Sequence, residues 1–286
     1  MSNLQTVLIT DSTNDLPAEL LEEHQIGVVP LTIVWNNNQY LDGVDLKRAD
    51  FYSKFATDPG QPSTLPPRSQ CFIDAYNAAA SKGATKIVVM TMSSAMSGTY
   101  ENARTAALGY KLPITVVDSK STSMGMGFQL LAMAKVAEAG GSIAEMVQSA
   151  ARVRKSMEFR VALDTLDYMI KGGRVTGMAK RLGHMFKIKP QIRFNLETGA
   201  ADPGDITATR SKAVDSLYNT FTKKFGKSKS VHVAVMHNLA DEEALQMSDR
   251  IKVALNPLDI SISIISPVLG THAGPRALGL CAYSEQ

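Results

Sequence analysis

The chain has 286 residues, enough to bury a full core in one large domain or two smaller ones. Hydrophobic residues at 44% and charged residues at 20% exclude a disordered chain. A formal charge of +3 is small for this length and provides no reason to expect nucleic-acid binding.

In chain order, Thr6 to Thr10 reads as a strand that ends at Asp11-Ser12, and Pro17 opens a helix to about His24. Ile26 to Trp35 is a β-branched run closed by the Asn36-Asn37-Asn38 turn. A helix over Lys47 to Ala56, a proline-rich loop from Asp58 to Pro67 and a helix from Ser69 to Lys82 follow. Lys86 to Met92 is a buried strand. A small-residue loop, Ser93 to Gly98, leads from it into a helix to about Leu108. Ile114 to Val117 forms the next strand, and a long helix covers Thr122 to Ala139. This alternation predicts a parallel sheet covered on both faces.

Gly140-Gly141 ends that unit, and Ser142 is placed to cap the next helix. The boundary between units is expected near residue 152, dividing the chain into 1–152 and 153–286. Beyond it come a strand from Phe159 to Leu163, a short helix into Lys171-Gly172-Gly173-Arg174 and a basic helix over Gly177 to Met185. A strand from Lys189 to Asn195 and an amphipathic helix from Thr209 to Phe225 follow. Val231 to Met236, the helix Asp241 to Leu255 and Ile260 to Ile265 complete a second α/β unit.

Several chemistries are excluded by inspection. Cys71 and Cys281 form no CxxC pair, which predicts neither zinc nor a disulfide and suits a reduced, cytoplasmic setting. The opening MSNLQTVLITDS has no basic n-region, and the longest apolar stretch, Phe128 to Met133, is too short to span a bilayer. Gly226-Lys227-Ser228 resembles the end of a P-loop, but Phe221 stands where its first glycine belongs. Gly125 and Gly127 begin a dinucleotide-like GxG, but Leu130 replaces the third glycine. The five histidines form no metal-binding pair, and Ala95 occupies the first glycine position of a GxSxG elbow around Ser97. Asp11 and Asp118 both end strands on one sheet edge, which leaves open a hydrolase or transferase acting on a small acid through them or through His272.

What remains is hydroxyl-rich loops. Gln61-Pro62-Ser63-Thr64 precedes a helix, and Ser93-Ser94-Ala95-Met96-Ser97-Gly98-Thr99-Tyr100 joins a strand to a helix. Gly270-Thr271-His272-Ala273-Gly274-Pro275 is expected as a loop after the final core strand. Loops at the carboxyl edge of a parallel sheet, next to helix N-termini, can together hold a small acid group. Thr64, Ser93, Ser94, Ser97, Gly270 and His272 are the candidates for that role. Fourteen methionines outnumber nine phenylalanines, a composition that suits core filling and also an adaptable lining for a flexible apolar ligand.

The ordered set VLITDST, PST, SSAMSGTY, VDSKSTSMGMG, LDYMIKGGR and SPVLGTHAGPRALGL resembles the DegV family along nearly the whole chain. The resemblance implies two α/β domains, the first a parallel-sheet three-layer sandwich and the second a mixed sheet with helices. A tunnel for one long-chain fatty acid is expected between them. It further implies a chain that does no chemistry alone and presents the acyl carboxyl to a separate ATP-dependent fatty acid kinase subunit, with no cofactor or metal. By the family pattern Thr64, Ser93, Ser94 and His272 bind the carboxyl. Met96, Met124, Leu65 and Arg276 are candidates for tunnel or mouth, and Arg174 and Arg210 for partner docking beside Lys171, Lys180 and Arg181. A cytoplasmic monomer is expected, with a stand-alone lipid carrier or sensor as the alternative. Two departures from the family pattern are Leu65-Pro66-Pro67-Arg68-Ser69 after Thr64, and Arg276 in place of a glycine.

Overall fold

A computed structural model describes residues 6–58, 60–174 and 188–285. The basic segment expected over Gly177 to Met185, with Lys180 and Arg181, lies outside the described residues.

The first unit is built on a parallel sheet of β1 (Thr6–Asp11), β2 (Gly27–Val29), β6 (Lys86–Thr91) and β7 (Ile114–Asp118), in the order β2-β1-β6-β7. Side chains alternate across it, as the period of two requires. Ile9, Ile87 and Val89 pack under α3 (Ser69–Ser81) and α4 (Thr99–Ala107) with Phe72, Tyr76 and Ala103. Leu8, Val88 and Met90 face the other way, into the cluster that holds Met126, Leu130 and Met133 of α5 (Ser123–Glu138). Helix α6 (Ile143–Ser156) lies along α5, and its start is a capping box. Ser142 Oγ accepts from the Glu145 N–H, while Glu145 accepts from the Ser142 N–H at 2.7 Å. The parallel sheet covered on both faces that the alternating pattern predicts is therefore present.

The run from Ile26 to Trp35 is two strands rather than one. Pro30 has no N–H to donate, so the ladder of β2 stops there. The chain then turns into β3 (Thr32–Trp35), which pairs with β4 (Asn38–Leu41) and β5 (Ser63–Leu65) in a small antiparallel sheet. Helix α1 (Ala18–Glu23) follows β1, and α2 (Arg48–Thr57) connects β4 to the segment that contains β5. Part of the expected proline-rich loop is thus the strand β5, with Thr64 opposite Ile33.

The second sheet has six strands in the order β10-β9-β8-β13-β11-β12. These are β8 (Glu158–Ala162), β9 (Lys189–Phe194), β10 (Ala201–Thr207), β11 (Val231–His237), β12 (Asp259–Ile264) and β13 (Leu278–Ser284). Only β11 and β12 run parallel; the other neighbours are antiparallel, so this sheet is mixed. Helix α7 (Asp167–Lys171) follows β8, and helices α8 (Arg210–Phe225) and α9 (Asp241–Leu255) cover one face through Leu217, Phe221, Met247 and Ile251. The other face, with Phe159, Val161, Ala234, Met236 and Cys281, shares one apolar cluster with α5 and α6. The expected division at residue 152 falls inside α6, which runs on to Ser156.

Two expectations are corrected here. Ile260 to Ile265 is not the final core strand: β13 follows it and lies between β8 and β11. GTHAGP is also not wholly a loop, because Gly270 to Ala273 belong to α10 (Pro267–Ala273), whose N–H groups are capped by Ser266 with proline in the first turn.

Asp15 binds the two units together. Its carboxylate is fully buried, accepting from Ser123 Oγ at 2.6 Å and from the Ser266 backbone N–H at 2.8 Å, with Arg48 at 3.4 Å. Burial pushes its pKa up, and Arg48, Ser123 and Ser266 oppose that rise. Asp15→Ala leaves these donors without their acceptor. The expected loss is about 3–5 kcal/mol in urea unfolding, and an unchanged midpoint would remove Asp15 from this role.

Candidate functional site

Thr64 and His272 are far apart in sequence and meet in space. Strand β5 holds Thr64 through its pairing with β3, and α10 rests on α2, β3 and β5, which brings His272 to it. Thr64 Oγ1 and His272 Nε2 lie 2.7 Å apart and share one hydrogen bond. Two glycines allow the close packing. A methyl group on Gly172 would overlap His272 Nδ1, and one on Gly270 would overlap the Tyr52 hydroxyl, which donates to the Ile265 carbonyl at 2.8 Å.

Behind His272 lies a narrow apolar cavity of about 50 Å³ between the two units. From the first unit come Met96 and the start of α5, Thr122 and Ser123. From the second come Phe159 and Val161 of β8, Ile192 and Phe194 of β9, Met169 of α7 and Met236 of β11. Ile265, Leu269 and Ala273 close the α10 side. The arrangement is a polar end with an apolar interior.

Burial holds His272 down to a pKa of about 4, and the Arg174 guanidinium pushes in the same direction. His272 is therefore neutral near pH 7. Arg174 sits at this end, where Nε donates to the Met96 carbonyl at 3.4 Å and Nη1 to the Gly172 carbonyl at 2.5 Å. His272 Nδ1 is buried and has no hydrogen-bond partner among the described residues. In the Nε2–H tautomer the Thr64 hydroxyl accepts from His272 and keeps its own O–H free to donate to a carboxylate, with Arg174 supplying positive charge nearby.

The other expected site residues are distributed differently. Ser93 is buried, and its Oγ accepts from the Ala95 N–H at 3.2 Å. Ser94 is exposed and donates to Asp118 at 2.5 Å. Ser97 bonds Thr99 at 2.8 Å and accepts from the Thr99 N–H, bracing the start of α4. Gly270 makes room for Tyr52 rather than facing the cavity as a donor. Met124 borders a separate cleft of about 620 Å³ with Leu20, Phe128, His232 and Tyr283. Leu65 is 46% exposed. Arg276 and Arg210 both bind Glu243, at 2.8 and 2.5 Å, so their charges are engaged within the second unit.

Both strand-end carboxylates are engaged by hydrogen bonds on each oxygen. Asp11 is fully buried and accepts from the Thr13 N–H, the Thr13 hydroxyl and the Met92 N–H, at 3.0, 2.6 and 2.7 Å. Burial pushes Asp118 up, but hydrogen bonds from Ser94 and Lys120 outweigh it and hold the carboxyl below its ordinary range. Gly125 and Gly127 serve helix packing, because a methyl on Gly125 would overlap Ser121 and press on the Phe159 ring. Sequence reasoning missed Thr122, which is 2% exposed with a hydroxyl that has no partner among the described residues. It also missed the β8–β9 wall, since apolar alternation reads the same for a packed core and a cavity lining.

The low pKa of His272 carries a definite sign. Between pH 4 and 6.5 the unfolded chain takes up a proton that the folded chain refuses, so this group's stabilisation is complete above 6.5 and is lost as pH falls through 4. NMR titration of the imidazole should find His272 neutral at pH 6 with a midpoint near 4. Gly172→Ala should displace the ring and move that midpoint toward 6.5, whereas a parent midpoint already near 6.5 would refute the buried setting.

Comparison with known proteins agrees with this architecture. A family model described as "Uncharacterised protein, DegV family" matches residues 5–285. A DegV domain-containing protein of Streptomyces coelicolor is 33% identical over 280 residues, covering 97% of this chain and 98% of that one. The crystal structure of DegV, a fatty acid binding protein from Bacillus subtilis, superposes with a TM-score of 0.90 at 26% identity, covering 98% of this chain and 99% of the other. A stearic acid-binding protein of Eubacterium ventriosum gives 0.88 at 25% identity, covering 97% of both chains. With its whole described fold and nearly its full length matched, the chain belongs to the DegV family.

Proposed function

We propose that this chain binds one long-chain fatty acid in the cavity between its two units and presents the carboxyl to a separate ATP-dependent kinase subunit, which makes the acyl phosphate. The supporting observation is the apolar cavity that ends on the Thr64–His272 pair beside Arg174. Relatives that bind fatty acids on the same fold add to it. The engaged state of Asp11 and Asp118 favours a presenting role over a small-acid enzyme. The reading includes a cytoplasmic monomer.

The tail supplies most of the affinity. Burying each methylene contributes about 0.8 kcal/mol, so a tail of about 16 carbons offers on the order of 10 kcal/mol before the costs of binding. A hydrogen bond to a charged group adds roughly 1.5–3 kcal/mol. A cavity of about 50 Å³ must widen to take such a tail, and the thioethers of Met96, Met169 and Met236 can repack to allow it. Thr64 and His272 then fix the carboxyl. Arg174, half-buried just after the Gly172-Gly173 turn, is the contact offered to the kinase.

Native mass spectrometry of the purified chain, followed by organic extraction, tests the ligand. One fatty acid per chain is the expected result. An empty chain that also refuses oleate and palmitate would overturn the reading. Thr64→Ala and His272→Ala should lower turnover by the kinase roughly tenfold or more while lipid binding changes less. Arg174→Ala should impair turnover at unchanged lipid content. If the chain carries lipid but no kinase turns it over, it is a carrier or sensor instead.

A further inference from the structure

The inner cavity ends on two aromatic rings. Phe159 and Phe194 stack with centroids 4.1 Å apart and planes 9° apart. In the β8–β9 ladder Arg160 stands opposite Arg193, so the two phenylalanines face each other one step further along. Alternate residues share a face, so Val161 and Ile192 line the same wall nearer to α10. Behind the rings lies an outer cleft of about 520 Å³ whose walls carry Lys120, Arg154, Lys155 and Arg193 together with Glu158 and Glu197. Among the described residues, Phe159 and Phe194 alone border both spaces. They are 2% and 6% exposed, which makes them a partition and not an opening.

We infer that this stacked pair is the stop that sets the length of acyl chain the cavity accepts. The inference rests on the fatty-acid reading above. Each buried methylene strengthens binding about fourfold, so affinity climbs with chain length until the terminal methyl reaches the rings. A longer chain must part the rings and push its end into a cleft lined with charged groups, where burial is lost and the stacking is broken. The two rings do not yield equally. Phe159 packs against α5 where Gly125 leaves room for it, so its ring is backed by the helix. Phe194 closes the end of β9 and is the ring whose removal opens the partition.

The test is displacement of a fluorescent fatty acid by saturated fatty acids of about 12 to 22 carbons, a range over which each added methylene should count. The native chain should show affinity that rises with length and then breaks. Phe194→Ala should move the break to chains at least two carbons longer and weaken binding of the shorter ones a few-fold. Phe194→Leu keeps an apolar core residue in place and guards against a folding failure; it should move the break in the same direction by less. A break that stays put in both variants, or a native series with no break, overturns the inference while leaving the fatty-acid reading intact. A native chain that binds none of the series overturns that reading instead.

Discussion

One buried carboxylate determines how the two halves of this chain meet. Asp15 lies just after the first strand, and its partners are Ser123 at the start of α5, Ser266 at the start of α10 and Arg48 at the start of α2. Both Asp15 and Ser123 adopt left-handed backbone conformations, with φ of 52° and 50°. Such a conformation costs a residue with a side chain about 1–2 kcal/mol. The hydrogen bond between the two residues helps offset that cost, so the strain and its compensation sit at one point. Because α10 is held there, His272 is delivered to Thr64 and α5 to the edge of the cavity. Tyr52 and Asn238 extend the same network: Asn238 donates to the Gly274 carbonyl and accepts from the Ala277 N–H.

Much of this fold was legible because its strong signals are local. The strands and helices of the first unit follow from hydrophobic period, and the Ser142 cap from residue type. The missed elements have local reasons. Strand β10 carries Pro203-Gly204, which reads as a turn, yet as an edge strand with an irregular ladder it tolerates both. Strand β13 begins Leu278-Gly279-Leu280, a pattern without clear alternation, because the strand is buried between two neighbours.

The site was legible in part, for a different reason. Hydroxyl-rich loops attract attention, but serine and threonine often spend their hydroxyls on nearby backbone or side chains. Ser93 and Ser97 each have such a partner two residues on, and Ser94 reaches Asp118 at the end of the neighbouring strand. Nothing local in the sequence distinguishes them from Thr64, whose partner lies in a distant segment. Arg276 shows the same limit: no local pattern foretells that its guanidinium reaches Glu243. The family resemblance groups Thr64 with His272, in segments that only the fold brings together.

The strand order of the second sheet has a consequence for how the protein is made. Strand β13 lies between β8 and β11, so β8, β9 and β10 cannot join the rest of the sheet until residues 278–284 have left the ribosome. Its pairing with β8 spans more than a hundred residues of chain, the kind of long-range contact that slows folding. The first unit can assemble early, while the apolar face that it shares with the second sheet waits uncovered. A nascent chain therefore has the Thr64 side of the site before it has a cavity, and any ligand enters only after synthesis has passed the last core strand.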